Sequence, residues 1–300
     1  MLVEWIAVRA TGDIGFGRIK ADTILQGLSA IKAAHIRRFA SYAAFDHLAI
    51  KQAIAGARRL QGKQDKKKAE PLHKADLQKI TEPPPAPGAR QLSGNKLNDL
   101  HFDTAIKLAF AGFLRTAEVT YEQRDLQNRE VFEATKVQRR DVTFAENDEH
   151  VILKLRASKS DHNHTGVEIV IARTGEATCP VLALRALYDL DPQPPCSPLF
   201  RTHTGPFSRK FYIDKLRARL ASKGYQNYML FAGHSPRRGA AQHAADNGIM
   251  DEDIQKLGRW TSQAFKGYFH ISLAYKHTLN RRFQLGRSPP FIQTSPNIPE

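Results

Sequence analysis

Residues 81–95, TEPPPAPGARQLSGN, set the first limit on how this chain can fold. Proline lacks the N–H a helix or ladder needs, and glycine gives up the most backbone freedom on ordering. A run containing Pro83, Pro84, Pro85, Pro87 and Gly88 therefore holds neither a helix nor a central strand. The stretch predicts a linker over residues 83–96, with one domain over 1–82 and a second over 97–283. The length agrees, since 300 residues suit two cores of ordinary size. Two domains joined in this way can close on a long polymer from opposite sides.

Charge says what kind of polymer. Lys and Arg number 45 against 30 Asp and Glu, for a formal net charge of +15 and a pI near 9.9. Such a bias fits nucleic acid or an acidic membrane surface. No apolar run approaches the roughly 18–20 residues that span a bilayer, so double-stranded DNA is the expected partner and a membrane is not. Cys179 and Cys196 are too few for a disulfide framework and lack ordered His partners for zinc, so no metal and no cofactor is expected. The opening MLVEWIAVRATGDIG lacks the charged and apolar regions of a secretory signal.

In the first domain, residues 20–39 read as an amphipathic helix with Ile24, Leu25, Leu28 and Ile31 at spacings of three and four, capped by Asp22 or Thr23. A second helix spans 47–60, with Leu48, Ala49, Ala53 and Ala57 on its less polar side, and a third spans 71–80. Lys51, Arg58, Arg59, Lys63, Lys66, Lys67 and Lys68 form a basic block opposed only by Asp65. A block of this kind neutralises backbone phosphates without reading bases.

In the second domain, residues 98–114 carry a strong helical stripe of Phe102, Ile106, Ala109, Phe110, Phe113 and Leu114. Residues 137–144, 151–156 and 167–172 alternate as strands, and the loop 157–166 places Lys159 at a strand edge or loop tip. Helices follow at 179–190 and 207–221, the latter with a basic face that includes Arg209 and Lys210, then a short helix at 252–257 with Ile254 and Leu257 inward and another at 262–270. The expected fold class is mainly α with a small antiparallel β-sheet. Residues 284–300, rich in proline, read as a disordered tail.

Candidate chemistry gathers in residues 231–270, FAGHSPRRGAAQHAADNGIMDEDIQKLGRWTSQAFKGYFH. If the first half is helical, His234 stands at its amino end and Arg237 lies one turn later on the same side. Unpaired N–H groups there, with an imidazole and a guanidinium beside them, make a phosphate site. Arg115 follows an apolar helix and needs solvent or acceptors, and Glu118 is an available partner. Tyr268, one helix further on, is a possible nucleophile toward that phosphate.

In this order the residues resemble the tyrosine recombinases and phage-type integrases, and most nearly the eukaryotic members encoded by fungal transposons. Gly112-Phe-Leu-Arg115-Thr-Ala-Glu118 is similar to the family's G-x-x-R-x-x-E turn, Lys159 in RASKSDHNHTG to its hairpin lysine, and His234-Ser-Pro-Arg237 to its H-x-x-R. Trp260 in LGRWTS matches the His or Trp of a Gly-led turn, and Tyr268 in AFKGYF the nucleophile. Two departures stand out: Pro236 replaces the usual Leu, and Tyr268 lies eight residues beyond Trp260 but nine beyond Arg259.

The resemblance implies a helical core-binding domain ahead of a catalytic domain that cleaves and rejoins DNA through a 3′-phosphotyrosyl intermediate. It implies Arg115, Lys159, His234, Arg237, Trp260 and Tyr268 as the catalytic set, with Glu118 in support. A homo-tetramer on paired sites, or a monomer or dimer without DNA, also follows from it. So does residence in the nucleus of a eukaryote, or otherwise in cytoplasm with the chromosome. Two other functions fit the same residues: a domesticated DNA-binding protein that no longer cuts, and a relaxing topoisomerase of the type IB kind.

Overall fold

A computed structural model of the chain describes residues 1–13, 15–62, 69–85, 92–157, 166–267 and 284. Lys63, Lys66, Lys67, Lys68, Lys159, Tyr268 and the tail beyond Gln284 lie outside the described residues. The chain divides into two compact units, Met1–Lys67 and Lys68–Glu300.

The first unit contains helices α1 (Leu2–Thr11), α2 (Ala21–Arg37), α3 (Ala43–Asp46) and α4 (Leu48–Gln61). Its core is Ile6, Ala10, Ala21, Ile24, Leu28, Ile50, Ile54 and Ala57. Helix α1 was not expected from the sequence, because its apolar positions occupy most of its circumference and give little periodicity. In α2 the buried stripe is narrower than its sequence suggests: Ile24 and Leu28 are inside, while Leu25 and Ile31 are exposed. Neither Asp22 nor Thr23 caps that helix, since Lys20 holds the cap position. In α4 the inward line is Ile50, Ile54 and Ala57 rather than one through Leu48, which is exposed. Gln61 stitches the helix ends together. Its side-chain nitrogen donates to the Ala10 and Ile19 carbonyls at 3.2 and 2.9 Å, and its oxygen accepts from the Ala21 N–H at 3.0 Å.

The second unit opens earlier than the proline-rich stretch predicts. Residues 69–80 belong with it, because the Glu70 and Leu72 N–H groups donate to the Leu230 and Ser235 carbonyls at 3.1 and 2.9 Å. Leu72, Leu77 and Ile80 also lie in its core. Helix α5 is Lys74–Ile80. Burial of three aliphatic side chains ahead of the prolines ties residues 69–80 to the second core, so the division falls after Lys67 rather than within residues 83–96.

Helix α6 (Gly94–Ala111) is the spine of this unit, and the stripe Phe102, Ile106, Ala109 and Phe110 is buried along it. Short helices α7 (Thr116–Val119), α8 (Gln123–Gln127) and α9 (Arg129–Thr135) lead to an antiparallel sheet of β1 (Val142–Phe144), β2 (His150–Leu155) and β3 (Val167–Ala172). Strand β1 is shorter than expected, because residues 139–141 form a 3-10 turn held by Asp141. Val151, Leu153 and Leu155 alternate inward along β2, and Val151 sits opposite Ile171. Helix α10 (Pro180–Leu190) packs against α6 and β3, followed by α11 (Arg209–Ser222), α12 (Ser235–Asp246) and α13 (Asp251–Leu257). Ile254 of α13 is buried but Leu257 is exposed, so that helix covers the core with one turn only. Residues 263–267 form a 3-10 turn within the span expected as a helix over 262–270, whose last three residues lie outside the described residues.

Small residues let α12 lie deep in the unit. Ala240, Ala241 and Ala244 are buried, and a Cβ on Gly239 would stand 1.6 Å from the Leu72 carbonyl oxygen. Only glycine allows that approach, and it is what fixes the amino end of α12.

Candidate active site

Three turns of the second unit come together: residues 112–118, residues 233–238 and residues 258–267. The first begins where α6 ends. Phe113 takes φ 50°, a left-handed conformation that costs a side-chain-bearing residue energy and turns its carbonyl inward. Arg115 then precedes α7, with its side chain 20% exposed. The Glu118 carboxylate accepts from the Arg115 backbone N–H at 2.8 Å and from Arg115 Nη1 at 2.9 Å. The pairing fixes the guanidinium's position without removing it from solvent.

The second turn is joined to the first by Thr116, whose hydroxyl donates to the Gly233 carbonyl. His234 occupies the N-cap position of α12, and Pro236 falls in the first turn, where a missing N–H is harmless. Arg237 is fully buried. It donates to the Phe113 and Gly258 carbonyls, and its guanidinium lies 4.3 Å from the centre of the Trp260 ring. One side chain thus ties all three turns together, through backbone acceptors and a cation–π contact.

The third turn repeats the strain of the first. Arg259 takes φ 54°, and a Cβ on Gly258 would lie 1.5 Å from the Trp260 ring. The indole packs edge-on to Phe113 and faces Phe265. Arg259 returns to the first turn, donating to the Gly112 carbonyl at 2.9 Å and to Glu118 Oε2 at 3.2 Å. Arg238 donates to the Gly267 carbonyl at 3.2 Å, immediately before Tyr268 in the chain.

The electrostatics follow from this packing. Arg115, Arg237, Arg238 and Arg259 converge, and Glu118 is the carboxylate that Arg115 and Arg259 share. His234 is accessible to solvent, yet loss of hydration is the largest influence lowering its pKa, and Arg237, Arg209, Arg115 and Arg238 lower it further. The imidazole is therefore neutral at pH 7 and able to accept a proton. The amino end of α12 adds the positive end of its dipole. Such a place suits an anion with several oxygens.

The structure thus brings together Arg115, Glu118, His234, Arg237 and Trp260. Lys159 and Tyr268 lie outside the described residues. Arg209 is exposed at the start of α11 and near enough to His234 to depress its pKa. Lys210 is exposed and paired with Asp214 at 2.5 Å. In the first unit, Lys51 and Arg59 are exposed on α4, whereas Arg58 is engaged by Asp22 at 3.0 Å. The basic block is thus opposed by an acid from α2, which spacing along the chain did not reveal. Arg238 and Arg259 were missed as site residues. The doublet in GHSPRRG and the nine-residue interval from Arg259 to Tyr268 were the signals in the sequence. Among the described residues, no group of three or more His, Cys, Asp or Glu side chains is placed to hold a metal, and no helix is long and apolar enough to cross a membrane.

No family model matches the sequence, and no curated protein matches it. Solved structures do match the fold. An arginine-to-lysine variant of the Tn1549 transposon integrase, in complex with a circular intermediate DNA, aligns with a TM-score of 0.51 at 13% identity, over 94% of this chain and 84% of that one. XerA recombinase aligns with a TM-score of 0.48 at 15% identity, over 87% and 82% of the two chains. A lambda integrase (75–356) dimer bound to a COC′ core site gives 0.43 at 17% identity, over 81% and 78%. At these identities the likeness is one of fold: mainly helical with a small antiparallel sheet, similar to that of the Tn1549 integrase structure.

Proposed function

We propose that the chain is a site-specific DNA recombinase or transposon integrase that cuts and rejoins duplex DNA through a covalent tyrosine intermediate. The observation that carries this reading is the meeting of Arg115, His234, Arg237 and Trp260 where three turns converge, with Arg238 holding the residue before Tyr268. Glu118 orients Arg115 and leaves the remaining donors of its guanidinium for a nonbridging phosphate oxygen. The gathered positive charge offsets the charge that builds on the phosphoryl oxygens in the transition state.

In the proposed step the Tyr268 oxygen attacks a backbone phosphorus and loses its proton, with neutral His234 as the available acceptor. The bond from phosphorus to the 5′-oxygen breaks as the tyrosyl bond forms, and Lys159 protonates the leaving oxygen. One phosphodiester is exchanged for another, so a 5′-hydroxyl from a second duplex reverses the step without an external energy source. Duplex DNA is the substrate in this reading, bound by Arg209, Lys210 and the basic block of the first unit. The active assembly is a homo-tetramer on paired sites. The closer kinship to fungal transposon-encoded enzymes, and with it a nuclear location, rests on the ordered residue pattern from Arg115 to Tyr268 alone.

The test uses nicked suicide duplexes carrying a sequence that the protein itself selects from a random pool. A denaturation-resistant protein–DNA adduct is expected from the unmodified chain and none from Tyr268→Phe. Binding without an adduct would leave a DNA-binding protein that does not cut. An adduct that relaxes supercoils but never joins separate sites would identify a topoisomerase. An adduct that persists in Tyr268→Phe would remove Tyr268 from the chemistry.

A further inference from the structure

Arg259 has no place in the catalytic set implied by the sequence motifs, yet the third turn is built around it. Its backbone occupies the left-handed region, which a side-chain-bearing residue enters only at a cost in energy. Its side chain is only 11% exposed. The planar guanidinium reaches three acceptors on the first turn at once: the Gly112 carbonyl at 2.9 Å, the Phe113 carbonyl at 3.3 Å and Glu118 Oε2 at 3.2 Å.

Glu118 is thereby shared. Its Oε1 holds Arg115 Nη1, and its Oε2 holds both the Arg115 backbone N–H and Arg259 Nη2. Without Arg259, Arg115 would neutralise the carboxylate by itself, and its attraction for an incoming anion would fall. Arg259 also sits nine residues before Tyr268. It therefore links the chain segment leading to the nucleophile with the arginine placed to hold the phosphate.

Resting on the function proposed above, we infer that Arg259 is a positioning residue. It acts through Glu118 to hold Arg115 oriented toward phosphate, and through the Gly112 and Phe113 carbonyls to tie the third turn to the first. A purely structural arginine would affect stability alone. A positioning arginine affects the chemical step more than DNA binding.

The experiment compares Arg259→Gln and Arg259→Lys with the unmodified full-length chain on the selected nicked duplex. Expected for Arg259→Gln is a fall of about tenfold to a hundredfold in the single-turnover rate of adduct formation, with duplex Kd changed less than about threefold. Arg259→Lys should not restore the rate, because an ammonium cannot meet two carbonyls and a carboxylate in one plane. Combined with Glu118→Gln, Arg259→Gln should cost less than the sum of the two single effects. An unchanged rate, full rescue by lysine, or strict additivity overturns the inference while leaving the proposed function standing.

If the unmodified chain forms no adduct, the proposed function fails, and inorganic orthovanadate becomes the probe. Arg259→Gln should then need about tenfold more orthovanadate for the same rise in Tm. Equal responses in the two proteins, or no response in either, overturn the inference.

Discussion

The second unit contains two arginine clusters, and they are neutralised in opposite ways. Around Asp191, His101 Nε2 approaches one oxygen at 2.9 Å, Arg139 Nη2 donates to the same oxygen at 2.9 Å, and Arg201 reaches both oxygens. Asp191 is only 4% exposed, so its charge and those of its partners are settled within the protein. The Arg201 backbone N–H donates to His101 Nδ1, which leaves Nε2 as the protonated nitrogen of a neutral ring. Around Glu118, by contrast, Arg115 and Arg259 share one carboxylate, while Arg237 is held by carbonyls and an indole and Arg238 reaches the Gly267 carbonyl. Carbonyls fix a guanidinium in place but do not cancel its charge. The first cluster gathers its cations on one buried carboxylate, whereas in the second a single carboxylate is shared by two arginines and the others are held by backbone carbonyls.

Breaking the Asp191 cluster should have the largest effect on stability. Asp191→Ala leaves buried Arg139 without its acid, and an uncompensated buried charge costs about 3–5 kcal/mol. Urea denaturation followed by circular dichroism measures this. The partners also hold the Asp191 carboxyl well below the usual carboxylate range despite its burial. Its stabilisation is therefore complete above about pH 4, where the unfolded chain is also ionised, and is lost as pH falls toward the depressed folded value. A variant whose acid limb is unchanged would refute the closed-cluster account.

The other cluster should respond in the reverse sense. Arg115→Ala is expected to slow adduct formation by about 10²–10³-fold, the scale seen when one donor to a developing oxyanion is removed. Folding stability should fall by only about 1 kcal/mol, because Arg115 is partly exposed and Glu118 keeps Arg259. If Arg115→Ala unfolds the protein as Asp191→Ala does, the distinction between the two clusters collapses.

A smaller effect sharpens the same contrast. Burial pushes the Asp103 carboxyl up to about 6, against the Glu82 N–H, which donates to it at 3.1 Å, and the nearby charges of Arg219 and Lys107. The folded state holds that proton more tightly than the unfolded chain, so this group favours folding most below about pH 4, and its contribution is lost as pH rises through 6. Asp103→Asn should remove the slope between about pH 4 and 6 and raise stability at pH 7 by up to about 3 kcal/mol. Denaturation midpoints across that range measure it, and an unchanged slope would show that Asp103 is not the group titrating.

The helices and strands with clear periodicity could be read directly from the sequence. The stripe of α6 and the alternation of β2 each require one buried face, and a single pattern of apolar residues satisfies that need. Helix α1, whose residues show little periodicity, could not be read in this way, and the proline-rich stretch does not coincide with the division after Lys67. What attaches residues 69–80 to the second unit is backbone bonding to residues 230 and 235, which no local signal announces.

The site divides along the same line. The sequence by itself determined which chemical groups are present and their order: Arg115 with Glu118 three residues on, His234 with Arg237, then Trp260. Spacing on one helix or turn is a local property, so it survives without knowledge of the fold. Only the tertiary structure decided how those groups are used. It buried Arg237 on two carbonyls, brought Arg259 back to Glu118 across more than a hundred residues of chain, and set Arg238 on the Gly267 carbonyl. Those contacts depend on two left-handed residues and on glycines that admit close approach, and sequence spacing carries no information about which distant carbonyl a guanidinium will meet.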